Sequence, residues 1–145
     1  MIRPVEILLV EDSPTDVLMT KRSLEASKLL QHLNVVSDGV EAIAFLHREG
    51  KYSYAPRPDL VLLDLNLPKK NGHEVLEEIK SDEKLKTIPV IILTTSLGEE
   101  DILKSYGLHA NCYITKPVDF GKFVDVVKQI ESFWFTVVTL PSERT

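Results

Sequence analysis

The chain has 145 residues, of which 43% are hydrophobic, and this composition predicts a single globular domain that can bury its own core. The net charge of -5 and the scattering of the 17 basic residues along the sequence exclude a concentrated basic surface for nucleic acid. The sequence shows no secretory leader pattern and no apolar run of membrane-spanning length, and its one cysteine, Cys112, cannot form an internal disulfide. We therefore expect a cytoplasmic protein that binds neither nucleic acid nor membrane.

Short runs rich in Val, Ile and Leu alternate along the chain with amphipathic stretches. The runs are predicted to be strands, and they cover residues 7–10, 33–36, 60–63, 90–93 and 112–114. The amphipathic stretches are predicted to be helices, which cover residues 40–48, 74–80, 99–106 and 120–135, in addition to a first helix that begins after Ser13. Five strands that alternate with five helices are typical of an α/β fold.

The first predicted helix has a clear start signal in the sequence. Ser13 suits the N-cap position, and Asp16 stands at the third position of a capping box. The apolar positions that we expect to face the core are Val17, Leu18 and Leu24.

The alternation of strands and helices predicts a doubly wound fold, in which right-handed crossovers produce a parallel five-stranded sheet with helices on both faces. The strand order expected for such a sheet is 2-1-3-4-5. The long connection "GKYSYAPRP" before the third strand is interpreted as a loop within the domain. Residues 1–145 are thus predicted to be one domain, with a short apolar extension at about residues 132–145 and no output domain.

Polar side chains follow four of the predicted strands at the point where each strand ends. They are Glu11 and Asp12 after the first strand, Asp64 after the third, Thr94 after the fourth and Lys116 after the fifth. Because the carboxyl ends of parallel strands meet at one edge of the sheet, we expect these side chains to lie together. Three neighbouring carboxylates repel one another unless a cation joins them, and their oxygen ligands suit Mg²⁺ first and Mn²⁺ second.

Asp64 has two interpretations in this sequence context. An Asp after a strand often does no more than accept hydrogen bonds from the backbone of the following turn. Beside a divalent cation, however, Asp64 could attack an activated phosphoryl donor and become an acyl phosphate. Lys116 and the Thr94 hydroxyl would then neutralise the phosphoryl oxygens.

Four sequence blocks stand out at these strand ends, and they are "LLVEDS", "DLVLLDLNLPKKNG", "VIILTTS" and "CYITKP". Together they resemble the ordered signature of response-regulator receiver domains, the flavodoxin-like modules of two-component signalling. They occur in the family's order, each at a predicted strand end, and the resemblance extends over about residues 6–130. It implies a phosphoacceptor signalling protein that catalyses only its own phosphorylation and dephosphorylation, with a histidine kinase as the phosphoryl donor.

The resemblance also assigns roles to individual residues. It implies that Glu11 and Asp12 are the acidic pair, that Asp64 is the phosphoacceptor, and that the backbone carbonyl of Asn66 binds the metal. The positions that it implies for switching and phosphate binding are Thr94 as the switch hydroxyl, Tyr113 as the switch aromatic, Lys116 as the phosphate-binding lysine and Pro117 after a cis peptide bond. Switching would change the face formed by the predicted fourth helix, fifth strand and fifth helix, which we call the output face.

A narrower likeness concerns the stand-alone regulators that partner cyanobacterial and bacterial phytochrome histidine kinases. It rests on the loop "YSYAPRP", on the segment "DLNLPKKNG" and on the C-terminal segment "IESFWFTVVTLP". The likeness implies a phytochrome kinase as the donor, while the downstream protein that would read the output face is not identified by the sequence.

Two other classes of protein place an acid or a phosphate at similar strand ends. A phosphatase of the haloacid-dehalogenase kind also uses an Asp nucleophile and Mg²⁺, but it needs a second Asp two residues later as general acid and base. This chain has Asn66 at that position. A flavin-binding relative would need a hydroxyl- and glycine-rich phosphate loop where this chain has Glu11 and Asp12.

Three residues near these strand ends are given structural interpretations. Gly39 is expected to relieve a tight turn rather than cradle a phosphate. Lys69 and Lys70 are expected to lie in a solvated loop rather than contact a donor phosphate.

The C-terminal segment "SFWFTVVTLP" is unusually apolar. Its consecutive aromatic residues Phe133, Trp134 and Phe135 point around more than half of a helix, so some of them are expected to face outward. The segment could fold back on its own domain. Alternatively, it could join the output face in an isologous homodimer.

Overall fold

Five parallel strands form one sheet in the computed structural model, which describes residues 4–26, 30–94, 107 and 112–115. The strands are β1 (Val5–Val10), β2 (Gln31–Val36), β3 (Leu60–Asp64), β4 (Val90–Thr94) and β5 (Cys112–Thr115). The described α-helices are α1 (Pro14–Ala26), α2 (Gly39–His47) and α3 (Gly72–Ser81), and Gly50–Tyr52 forms a 3₁₀ turn. The strands lie in the order β2-β1-β3-β4-β5, and every neighbouring pair is parallel.

The parallel α/β sheet predicted from the sequence is therefore confirmed. The element boundaries differ by one or two residues, since β3 includes Asp64 itself and α3 begins at Gly72. The predicted helices at 99–106 and 120–135 lie outside the described residues.

Both faces of the sheet carry buried apolar side chains, which is why β3 is buried along its whole length. Leu8 and Leu63 belong to a core that includes residues of α2 and α3. Their strand neighbours Leu9 and Leu62 point to the opposite face and are also fully buried. Leu24 of α1 is fully buried outside the first core, so α1 covers the second face.

One prediction about α1 is wrong. Leu24 is buried as expected, but Leu18 is 47% exposed. Leu18 and Leu24 are six residues apart. At about 100° per residue, their side chains point in directions that differ by roughly 120° around the helix axis. The positions that share the buried face with Leu24 are taken by Thr20 and Ser23, whose polarity hid them from a pattern of apolar residues.

The long connection before β3 is anchored at two places and is a loop within the domain. Tyr52 packs edge-on against Phe45 of α2, with ring centroids 5.3 Å apart. Further along, the Arg57 guanidinium donates hydrogen bonds to the Lys84 carbonyl at 2.6 Å and to Thr87 Oγ1 at 3.1 Å.

The Tyr52 hydroxyl joins this loop to α2 by a further contact. It donates a hydrogen bond to Glu41 Oε2 at 2.5 Å. Burial, followed by that hydrogen bond, raises the pKa of Tyr52 to about 12. The phenol therefore stays protonated and keeps donating at neutral pH.

The described part of the chain includes no helix whose length and apolar content would let it cross a membrane.

Candidate functional site

The carboxyl ends of β1 and β3 bring three acidic residues together. Val10 pairs with Leu63 in the sheet register, so the residues that follow them, Glu11 and Asp64, lie at the same level. Carboxylate oxygens of Glu11, Asp12 and Asp64 all lie within 4.8 Å of one another. The grouping of these side chains is the one expected from the strand order.

The three carboxylates differ in burial, and this difference shows where solvent reaches the acidic cluster. Glu11 is 2% exposed and Asp64 is 4% exposed, whereas Asp12 is exposed to solvent. Water cannot fully screen charges that are buried this deeply, so their mutual repulsion favours a bound cation. Because all three donors are oxygens, the cluster fits a hard divalent metal ion, and the exposed side of Asp12 leaves an approach for it.

Glu11 is oriented by the start of α1. The Ser13 backbone N–H donates to Glu11 Oε2 at 3.3 Å, and the Asp16 backbone N–H donates to Ser13 Oγ at 3.3 Å. Ser13 is thus the N-cap that the sequence predicted. It also ties the buried carboxylate to the helix.

Asp64 is held by the loop that follows it. The backbone N–H of Asn66 donates to Asp64 Oδ1 at 3.1 Å, which places residue 66 directly beside the carboxylate. This bond alone is what the turn interpretation of Asp64 predicts. A turn does not require the two further carboxylates, those of Glu11 and Asp12, that lie near Asp64. Their presence favours a functional site.

The backbone register places Thr94 and Tyr113 relative to this site. Asp64 pairs with Leu93, so Thr94 follows one position beyond it on the adjacent strand. Thr94 pairs with Thr115, and Tyr113 pairs with Ile92. The other residues predicted for the site or the interface lie outside the described residues, and they are Lys116, Pro117, Phe133, Trp134 and Phe135.

The loop between β3 and α3 makes contacts with α2 that the sequence did not indicate. Gly39 was expected to relieve a tight turn, but it is the first residue of α2 and lies against the Lys70 carbonyl. Lys69 was expected to be solvated, and its side chain is 68% exposed although its ammonium group lies 3.5 Å from Asp38. Lys70 was also expected to be solvated, but its side chain is only 27% exposed and its ammonium group pairs with Glu78 of α3 at 2.5 Å. The N-cap role of Asp38 could have been found from its place before a helix with an acidic third position. The contact of Gly39 with Lys70 has no local sequence signal.

A third lysine, away from the strand ends, supports the segment that leads into β4. Lys80 of α3 donates from Nζ to the carbonyls of Lys86 and Ile88, at 3.3 and 3.1 Å. Burial lowers the pKa of Lys80 from its ordinary value, because the charged form loses hydration. The two carbonyl acceptors give this ammonium a structural role.

The chain is similar to known response regulators over nearly its whole length. The model of the response regulator receiver domain matches residues 7–128. Response regulator Rcp1 of Synechocystis sp. is 50% identical over 139 residues, which cover 96% of this chain and 95% of Rcp1.

Solved structures show the same similarity in three dimensions. The crystal structure of the phosphorylated cyanobacterial phytochrome response regulator RcpA superposes with a TM-score of 0.80 and 50% identity, and the match covers 93% of this chain and 96% of RcpA. The Mn²⁺-bound form of Rcp1 superposes with a TM-score of 0.79 and 50% identity, over 90% of this chain and 94% of Rcp1.

Proposed function

The chain belongs to the response regulator receiver family, and from that premise we propose that Asp64 accepts a phosphoryl group from a histidine kinase in a Mg²⁺-dependent reaction. The observation that carries the proposal is the meeting of Glu11, Asp12 and Asp64, with carboxylate oxygens within 4.8 Å of one another at the carboxyl edge of the sheet. Three carboxylates in one place repel one another unless a cation joins them, and a cation at that position suits metal-assisted phosphoryl transfer.

Asp64 would act as the nucleophile. A carboxylate oxygen of Asp64 forms a bond to phosphorus while the bond from phosphorus to the phosphohistidine nitrogen breaks, and that electron pair returns to the imidazole. The product is an acyl phosphate on Asp64. The hydrogen bond from the Asn66 N–H to Oδ1 fixes the carboxylate, so little orientation has to be gained during the reaction.

Glu11, Asp12, Asp64 and the Asn66 backbone carbonyl would hold the cation. A bound Mg²⁺ supplies positive charge that offsets the repulsion between the carboxylates and the incoming phosphoryl oxygens. The Mn²⁺-bound form of Rcp1 supports a site of this kind, in which Mn²⁺ can substitute.

Thr94, Lys116 and Tyr113 would convert phosphorylation into a change of surface. The Lys116 ammonium and the Thr94 hydroxyl bind phosphoryl oxygens, and the inward movement of Thr94 lets the Tyr113 ring rotate. The output face then changes shape and is read by a downstream protein through direct contact. Pro117, which follows Lys116 after a cis peptide bond in the family, would fix the path of the chain there.

A phytochrome histidine kinase is the proposed donor, and both proteins would act in the cytoplasm. RcpA, with 50% identity over nearly the whole chain, is a phytochrome response regulator, which supports this choice. We expect phosphotransfer from a phosphorylated phytochrome kinase to be faster by orders of magnitude than from unrelated histidine kinases. Rates measured at equal kinase concentrations test this, and equal rates from all donors would contradict the phytochrome pairing.

The C-terminal segment around Phe133, Trp134 and Phe135 is proposed to extend a homodimer interface at the output face. Because that face also carries Tyr113, phosphorylation and dimerisation should favour one another. In sedimentation at micromolar concentration, acetyl phosphate is expected to increase the dimer fraction of the full chain but not of a chain that ends at Ser132. A full chain that stays monomeric with and without acetyl phosphate would contradict the interface.

A further inference from the structure

We propose that the start of α2, at Asp38 and Gly39, is a positioning element for the loop that carries Asn66. We call this contact the α2 clamp, and its four members are Asp38, Gly39, Lys69 and the backbone of Lys70. The inference rests on the proposed function, because it assigns these residues to the placement of the metal-binding carbonyl of Asn66 beside Asp64.

The tightest part of the clamp is the contact between Gly39 and Lys70. A Cβ on Gly39 would lie 2.7 Å from the Lys70 carbonyl carbon and closer still to its oxygen. These are backbone atoms, so they cannot move aside as the end of a flexible side chain can. Glycine is therefore required at position 39 by the approach of the loop, and not by a left-handed backbone conformation.

A second contact is made by the side chain of Asp38. Its Oδ1 accepts from the Glu41 N–H at 2.8 Å and so caps α2, while its Oδ2 lies 3.5 Å from Lys69 Nζ. Lys69 has a φ of 65°, a conformation that a residue with a side chain adopts only when its surroundings hold it there. Because Lys69 is largely exposed, its ion pair is the weaker half of the clamp.

The loop between β3 and α3 has little freedom to adjust if Lys70 is displaced. Its ends are joined by the hydrogen bond from Gly72 N–H to the Leu65 carbonyl at 3.0 Å, and a Cβ on Gly72 would lie 2.5 Å from Leu65 Cα. Leu65, at one end, and Leu67, within the loop, are both buried. A displacement of Lys70 therefore has to be passed along the loop toward Asn66 and its hydrogen bond with Asp64.

The test compares Gly39→Ala with Gly50→Ala. Gly50 has a φ of 58° and nothing within 4 Å of a Cβ placed on it, so its substitution strains the backbone without pushing on any neighbour. Both variants are expected to lose stability. Only Gly39→Ala should bind Mn²⁺ more weakly, by about tenfold in calorimetry, because a misplacement of about 1 Å is costly at a site that depends on orientation.

Two further readouts separate positioning from a general loss of structure. In the metal-free protein, the NMR amide shift of Asn66 should move in Gly39→Ala and stay in place in Gly50→Ala. In phosphorylation by acetyl phosphate, Gly39→Ala should raise the Mg²⁺ concentration needed for half the maximal rate about tenfold, with a smaller loss of rate at saturating Mg²⁺.

Lys69→Met provides a second variant in case Gly39→Ala does not fold. Removing a positive charge from the protein should, by electrostatics alone, strengthen cation binding or leave it unchanged, whereas loss of the clamp should weaken it. Weaker Mn²⁺ binding by Lys69→Met supports the inference, and tighter or equal binding overturns it.

The outcomes also distinguish the inference from the proposed function. If the wild-type chain is phosphorylated normally while Gly39→Ala matches Gly50→Ala in every readout, the clamp is wrong and the function stands. If the wild-type chain takes no phosphoryl group, the function is wrong, and the Asn66 amide shift and Mn²⁺ affinity still decide the clamp.

Discussion

Replacing Asp64 with Asn is expected to abolish phosphorylation by acetyl phosphate or by a phosphorylated kinase. The amide nitrogen and oxygen of Asn are poor nucleophiles, so the rate should fall by roughly a thousandfold or more. The substitution keeps the side-chain volume, and the Asn carbonyl can still accept from the Asn66 N–H, so the fold should persist. Incorporation of label that is stable to acid and labile to base measures the effect.

Asp59→Asn is the matched control for this substitution. Asp59 lies immediately before β3, at the opposite end of the strand from Asp64, and is also buried. Its Oδ2 accepts from the Glu6 N–H at 2.9 Å, and because an Asn carbonyl can accept in its place, the substitution should cost only about 1 kcal/mol of stability. Phosphorylation of this variant should continue. Undiminished labelling of Asp64→Asn, or equal loss in both variants, would contradict the assignment.

Removal of divalent cations is expected to have the second large effect. Without a cation, the carboxylates of Glu11, Asp12 and Asp64 repel the phosphoryl group, and the rate should fall by roughly a hundredfold or more. Adding Mg²⁺ back after chelation should restore the rate, and Mn²⁺ should substitute for it. The initial rate of labelling at a series of metal concentrations provides the measurement.

Asp12→Asn tests the same point without a chelator. Because Asp12 is exposed, its substitution should leave stability nearly unchanged while metal affinity falls by at least about tenfold. Asp16→Asn, in the first turn of α1, removes the same charge a short distance away and should change metal affinity by no more than about twofold. Equal affinities in the two variants would argue against a metal ligand at Asp12.

The acidic group could be predicted from the sequence because each step depends on local signals. The apolar runs before Glu11 and before Asp64 indicated strands, and the alternation with helices indicated a parallel sheet. Parallel order then brings the carboxyl ends of β1 and β3 together without any knowledge of side-chain contacts. Thr94 was placed by the same reasoning, and the backbone register agrees with it.

Other features could not be predicted, because they depend on contacts between segments that are distant in sequence. The contact of Gly39 with the Lys70 carbonyl exists only once α2 and the loop after β3 have packed together. Leu18 is exposed and Thr20 is buried because the orientation of α1 is decided by how Leu24 packs on the sheet. A helix with a weak apolar stripe does not fix its own rotation.

The identity of the phosphorylated residue tests the central claim most directly. An acyl phosphate on an aspartate is reduced by borohydride to homoserine, and peptide mass mapping then locates the altered residue. After treatment with acetyl phosphate and Mg²⁺, the account predicts homoserine at position 64 and unaltered residues at positions 11, 12 and 59. An altered residue elsewhere, with Asp64 intact, would contradict it.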